Sequence, residues 1–316
     1  MRVTDLLAVF QKKSHLQKGA CAISFTREGL TFVQVDRDEQ KNPIVKTCDF
    51  IQTSFDPMDI MRSLSNLVRK NNCEGFRCHW VLQAKDYSLI SIPNLPVSAE
   101  ELPTALRWHI KDQIDFPITD AAIDYFKVPY LSKTQNEELI YVIVARKNYL
   151  EMFSKVIIET KLDLDVIEIP EFSMRNLAEL FVEKGQGVGI IEVQVTGGAK
   201  LIIMRDGFVY LVRKIEVELH KTHSDEELHV FMTEIQRSCD YYENGLGQTP
   251  VSKFLLISPD VSLATQLTEG LGFPVEPMDI ASKLNAPGLA PEKLQQCLYA
   301  IGGALRQDEV GNEATN

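Results

Sequence analysis

LPTALRWHIKDQIDFPITDAAIDYF, residues 102–126, reads as a helix, a proline-broken turn and a strand in one unbroken pattern. Leu106, Ile110 and Ile114 recur four residues apart, which puts them on one helical face, with Leu102 and Trp108 near its edges. Pro103 falls in the first turn, where the N–H it lacks has no intrahelical acceptor. Pro117 ends the helix, because the residue before a proline is pushed out of the α region. Residues 122–128 then read as a strand. Two readings of Trp108 stay open: a core residue of a small subdomain, or an exposed anchor for a partner.

Upstream of this stretch, residues 19–25 and 30–36 make a hairpin pattern around Arg27, Glu28 and Gly29. A third strand near 44–50, a helix over 57–70 and a strand over 78–82 follow. The helix carries Ile60, Leu64, Leu67 and Val68 on one side, and Arg69 and Lys70 suit its C-terminal dipole. A second unit intrudes with a strand at 87–92, the quoted helix and strand, a strong β run at 139–145 and a helix at 147–160. The chain returns through a strand at 163–169 and a proline-opened helix at 170–183.

From Gly187 the first theme restarts, with strands at 188–195, 199–204 and 208–212 joined by turns at Gly197 and Gly198 and at Arg205, Asp206 and Gly207. Ser224 and Glu227 form a capping box that opens a long helix to about Tyr242. A buried strand at 254–258 and helices at 261–271 and 291–305 complete the pattern. Two copies of strand, turn, strand, strand predict a duplicated α/β domain. The expected boundaries are an amphipathic segment 1–18, a first domain 19–86 with 162–185, an inserted subdomain 87–161, a second domain 186–306 and a disordered tail 307–316.

With 316 residues, 45% hydrophobic and 24% charged, the composition is that of a globular protein of two ordinary domains. No apolar run approaches the roughly 20 residues that span a bilayer. The start lacks a signal-peptide core, which predicts a cytoplasmic protein. A net charge of −11 argues against sequence-independent nucleic-acid binding. Segment 1–18, with Leu6, Leu7, Val9 and Phe10 ahead of Lys12, Lys13 and Lys18, suits docking on its own protein better than resting on lipid. Cys21, Cys48, Cys73, Cys78, Cys239 and Cys297 are scattered, and all six are read as reduced thiols. Cys73, Cys78 and His79 lack a second close pair that would complete a zinc site. His220, His223 and His229 read as a solvated turn rather than a metal site.

The stretch 102–126, the helix IQRSCDYY at 235–242 and the closing YAIGGALR at 299–306 together resemble the PilM/MshI family of type IV (MSHA-type) pilus biogenesis proteins. The resemblance implies an actin-like fold, two ribonuclease-H-like domains with the extra α+β subdomain shared by FtsA and PilM. It also implies a cytoplasmic protein held peripherally at the inner membrane, binding the cytoplasmic N-terminal peptide of a bitopic pilus protein (PilN- or MshJ-like), with an assembly ATPase as a further partner. Family members hold that peptide in a groove of the first domain and the extra subdomain, and Arg107, Trp108 and Lys111 are the candidate contacts here.

Nucleotide-binding members of the family carry an Asp, a Gly and a Lys in the first hairpin. By register those positions read Ser24, Thr26 and Thr31 here, and the loop holds bulky Arg27 and Glu28. In the second hairpin Glu192 stands for the Asp and Gln194 for a Gly, with Gly197 and Gly198 in the turn. The adenine region reads Ile257, Ser258, Pro259, Asp260, where proline removes an N–H. Three segments depart together, which predicts a scaffold with vestigial nucleotide positions, no resident cofactor, no metal and no catalysis. ATP with Mg²⁺ is the alternative, in a PilM-like ATPase, and a GspL-like component of type II secretion is a further one.

Overall fold

The computed structural model describes residues 19–129, 138–193, 198–217, 219 and 224–306. The expectations for segment 1–18, Gln194, Gly197, His220, His223 and the tail 307–316 lie outside the described residues. Among the described residues the chain divides into two units: 19–84 with 149–177 and 284–306, and 85–148 with 178–283.

β1 (Gly19–Phe25) and β2 (Gly29–Arg37) form the expected hairpin, with Ser24 opposite Thr31, and β3 (Pro43–Gln52) adds antiparallel to β2. α1 (Pro57–Lys70) opens on Asp56, whose carboxylate accepts the Met58 N–H, and buries the four apolar residues its periodicity singled out. β4 (Arg77–Val81) then runs parallel to β1. The chain next builds β5 (Tyr87–Pro93), α2 (Leu102–Ile110), β6 (Ala121–Lys127) and β7 (Leu139–Arg146), a three-stranded sheet in the order β5-β7-β6. The quoted stretch therefore folds as a helix, a turn and a strand. α2 stops at Ile110, one turn short of Ile114. Leu102, Leu106 and Ile110 bury against Ile140, Val142 and Val144 of β7, with Ile92 and Ile123 beside them.

α3 (Lys147–Glu159), β8 (Asp163–Glu168) and α4 (Pro170–Ala178) return the chain to the first unit. β8 pairs parallel with β4, giving the sheet order β3-β2-β1-β4-β8. The second unit repeats this layout with β9 (Gly187–Val193), β10 (Ala199–Arg205), β11 (Phe208–Ile215), α5 (Asp225–Asp240), β12 (Val251–Ile257), α6 (Leu263–Leu271) and β13 (Val275–Pro277). Its order is β11-β10-β9-β12-β13, the same arrangement of strands as in the first sheet. The capping box of Ser224 and Glu227 is present at the start of α5. α7 (Pro291–Gln296) and α8 (Leu298–Leu305) end the described chain.

The structure draws the boundaries differently from the sequence in three places. α3 belongs with the first sheet instead of the inserted subdomain, because Phe153 packs within 5.2 Å of the Phe25 ring and 6.0 Å of Trp80. Residues 178–185 belong to the second unit. Residues 284–306, read as the end of the second domain, pack on the first sheet, where Gly303 lies against Ala22 and Val81. The inserted sheet shares a core with the second unit: Tyr141 and Val128 join the cluster of Leu201, Ile203 and Leu211, and the Tyr141 hydroxyl accepts the Val212 N–H at 2.9 Å. The thiol reading also needs correction. Cys48 and Cys297, 249 residues apart, are joined as a disulfide, a pairing that only the return of the C-terminal segment creates.

Polar and charged side chains clamp α8 to the sheet beneath it. Buried His79 donates from Nδ1 to the Gly303 carbonyl at 2.7 Å and turns Nε2 toward Asp165 at 3.8 Å. Buried Glu168 pairs with Arg306 at 3.2 Å, and burial pushes its carboxyl up. The His79 ring and the Arg77 guanidinium hold the Asp165 carboxyl well below the usual carboxylate range. A lowered acid contributes stability that is present above its unfolded value of about 3.9 and is lost as pH falls through the folded one. Asp165→Asn should therefore melt lower than the parent near neutral pH, with the gap closing below about pH 4. A pH-independent gap in thermal melts would remove the ionised Asp165 from this account.

Candidate functional site

In the first hairpin, the Thr26 N–H donates to the Gly29 carbonyl at 2.7 Å. The N–H groups of Glu28 and Gly29 both reach the Thr26 hydroxyl, at 3.2 and 3.1 Å. Donors that could cradle a phosphate are thus turned onto the loop's own side chain. Ser24, at the Asp position, is buried and satisfied twice: its hydroxyl donates to the Val81 carbonyl at 2.8 Å and accepts the Gln83 amide at 2.5 Å. Thr31 is buried opposite it.

In the second hairpin, Glu192 stands directly across from Lys200, and their charged ends lie 3.7 Å apart with both side chains largely buried. A buried acid needs such a partner. Lys200 was missed by sequence reasoning, although a lone lysine in the apolar strand AKLIIMR signals a buried partner. Gly198 takes φ +78° and donates its N–H to the Val217 carbonyl, which is a hairpin requirement. Glu192 pairs in register with Ile257, so Glu192 and Ser258 share one end of adjacent parallel strands. Ser258 accepts the Asp260 N–H at 3.1 Å and so serves its own turn. The sheet does bring Glu192, Lys200 and Ser258 to one edge, while Ser24 and Thr26 lie in the other unit. A cavity of about 330 Å³ in the second unit is rimmed by three acids, Glu179, Glu183 and Asp206, against one base, Lys184, a balance that disfavours a phosphate. Among the described residues no group of three potential ligands could hold a metal ion.

The outer face of α2 is different in kind. Trp108 is 68% exposed, and the Lys111 ammonium lies 5.4 Å from its ring centroid. At about 100° per residue, Trp108 points roughly 160° away from the buried stripe centred on Leu106. Arg107, offered with them as a partner contact, is instead committed to its own subdomain. Its guanidinium donates to the carbonyls of Ile118 and Ala121 at 3.1 and 3.3 Å, which fixes the Pro117 turn against the helix. The two readings of Trp108 are therefore separated: it lies outside the subdomain core.

The backbone is similar along 91% of its length to a chain of the PilM-PilN type IV pilus biogenesis complex, covering 98% of that chain with a TM-score of 0.64 and 18% sequence identity. The fold is actin-like. The chain is also similar, with a TM-score of 0.48 and 13% identity over 88% of its length and 92% of the other, to the cytoplasmic domain of EpsL, an inner membrane component of the type II secretion system of Vibrio cholerae. A Bacteroides thetaiotaomicron protein with an actin-like ATPase fold gives a TM-score of 0.46 at 12% identity, over 89% of this chain and 96% of that one. No family model and no curated protein sequence matches the chain. Among the described residues no helix is long and apolar enough to cross a membrane.

Proposed function

We propose that this actin-like protein is a scaffold of an MSHA-like type IV pilus assembly platform. It docks the cytoplasmic N-terminal peptide of a bitopic, PilN-like inner-membrane protein and is held peripherally at the membrane through that partner. The observation that carries the reading is the outward Trp108 with Lys111 over its ring, on a helix whose other face is fully engaged. An exposed indole has an apolar surface that a partner can cover, and Trp is enriched among binding hot spots. The likeness to a chain of the PilM-PilN complex supports the choice of partner.

Loss of nucleotide chemistry is part of the same reading. It is supported by the Ser24 hydroxyl engaged with Val81 and Gln83, the Thr26 hydroxyl taking its own loop's N–H groups, and a lysine beside Glu192, where a Mg²⁺–phosphate site needs a free acid and free amides. Calorimetry with ATP and Mg²⁺ should show no binding below millimolar concentration, and sub-millimolar Mg²⁺-dependent binding would return the ATPase alternative.

The docking test is a titration of the full chain with a fluorescent peptide matching the PilN-like partner's cytoplasmic head. Trp108→Ala with Lys111→Glu should weaken binding by at least about thirtyfold, the effect of a lost hot spot of ~2 kcal/mol. The melting temperature should stay put, since both side chains are exposed. Undiminished binding by the stable double variant would sink this site.

A further inference from the structure

The C-terminal segment leaves the second unit at Lys283 and runs back along the outer edge of β3. Its first tie is the Val45 N–H, which donates to the Asn285 carbonyl at 2.8 Å in a parallel bridge between Ile44 and Asn285. Further along, the Lys293 ammonium lies 3.8 Å from Asp49. Beside the second tie sits the bond from Cys48 of β3 to Cys297, the residue that links α7 to α8. The Cα atoms are 6.3 Å apart, inside the range a disulfide spans, and both cysteines are only 1% exposed.

We infer that Cys48 and Cys297 form a redox-controlled clasp that fastens the α7–α8 segment to the edge of the first sheet. The oxidant is a small disulfide of the glutathione class. The thiolate of one cysteine attacks the glutathione disulfide and expels one glutathione thiolate. The second cysteine's thiolate then attacks the protein sulfur of the mixed disulfide and expels the other glutathione. The two protein thiols give up two electrons and two protons, and one glutathione disulfide becomes two glutathione thiols.

The placement of the pair gives the clasp its effect. Every residue of the second unit among those described lies between positions 48 and 297, so the bond closes nearly the whole chain into one loop and removes freedom from the unfolded state. Burial of both sulfurs means that exchange requires the segment to lift from β3, so the clasp sets slowly and resists reductant once shut. The hydrogen bond with Cys21 lowers the Cys73 thiol, but Cys73 is fully buried and donates to the Gln34 side chain at 3.4 Å. Cys21 and Cys78 are register partners in the core of the same sheet. The hydrogen bond with Cys73 and burial push the Cys21 thiol up, and burial pushes Cys78 up, which keeps both out of exchange.

The experiment equilibrates the full chain with glutathione and glutathione disulfide at a series of ratios. Free thiols are then tagged under denaturing conditions, and tryptic peptides are mapped by mass spectrometry. Oxidising ratios should produce a Cys48–Cys297 peptide while Cys21, Cys73, Cys78 and Cys239 remain tagged. The oxidised wild type should melt higher than the reduced by roughly 5–10 °C, a comparison that needs no variant. Cys48→Ser and Cys297→Ser should each lose that shift and Cys239→Ser should keep it. Full tagging of Cys48 and Cys297 at every ratio would overturn the inference, and so would a Cys48–Cys297 bond that leaves the melting temperature unchanged.

Discussion

Trp80→Ala destabilises the first unit by about 3–5 kcal/mol, the range for emptying a fully buried large aromatic site. Trp80 is 0% exposed on the central strand β4 and packs between Phe25 at 5.6 Å, Tyr149 at 5.8 Å and Phe153 at 6.0 Å. These rings come from β1 and α3, both fixed in the first unit, so no single neighbour can collapse into the cavity. Its indole N–H has no hydrogen-bond partner among the described residues. Trp80→Phe should therefore be much milder, because it removes an unsatisfied donor while keeping most of the apolar volume. The control is the other tryptophan: Trp108→Ala should change stability by no more than about 0.5 kcal/mol. Thermal melts of the three variants decide the matter. Equal losses for Trp80→Ala and Trp108→Ala would contradict the burial on which both expectations rest.

Gly302→Ala is expected to be strongly damaging for a change of one methyl group. A Cβ at Gly302 would lie 2.2 Å from the Ser173 carbonyl oxygen and 2.7 Å from its carbon. Both are backbone atoms at the start of α4, so relief requires one helix to move against the other. The Ser173 hydroxyl donates to the Tyr299 carbonyl at 2.5 Å, and the Asn176 amide donates to Gly302 at 2.9 Å, so that shift would also stretch hydrogen bonds between the helices. Overpacking of this kind costs about 1–3 kcal/mol and occasionally more. Gly303→Ala should be milder, since its Cβ meets side chains, Val81 at 2.6 Å and Glu168 at 3.1 Å. Denaturant melts giving Gly302→Ala parental stability would show that α8 does not press on α4 as described.

Where a side chain's role is set by neighbours within a turn or a hairpin, the sequence was legible. Ile60, Leu64, Leu67 and Val68 line up at helical spacing and are buried together, and Ser224 and Glu227 cap α5 as their spacing predicts. The register that placed Ser24 and Glu192 at matching positions is the one the two sheets adopt, with Ser24 beside Val81 and Glu192 beside Ile257. The candidate site was less legible. Arg107, Trp108 and Lys111 sit within five residues, and composition gives no means of telling a guanidinium that holds its own turn from one that waits for a partner. Lys200 was overlooked because its partner Glu192 comes from the preceding strand.

Sequence alone determined most of the order of strands and helices, the hairpins and the inserted β-α-β-β unit, because each follows from periodicity, capping and turn chemistry within about ten residues, whereas the short β13 and the break between α7 and α8 were not foreseen. Tertiary structure alone decided that α3 and α8 belong to the first sheet, that Trp80 is core while Trp108 faces outward, and that Cys48 meets Cys297. Those outcomes depend on which apolar faces bury one another across long stretches of chain, and local pattern carries no record of that choice.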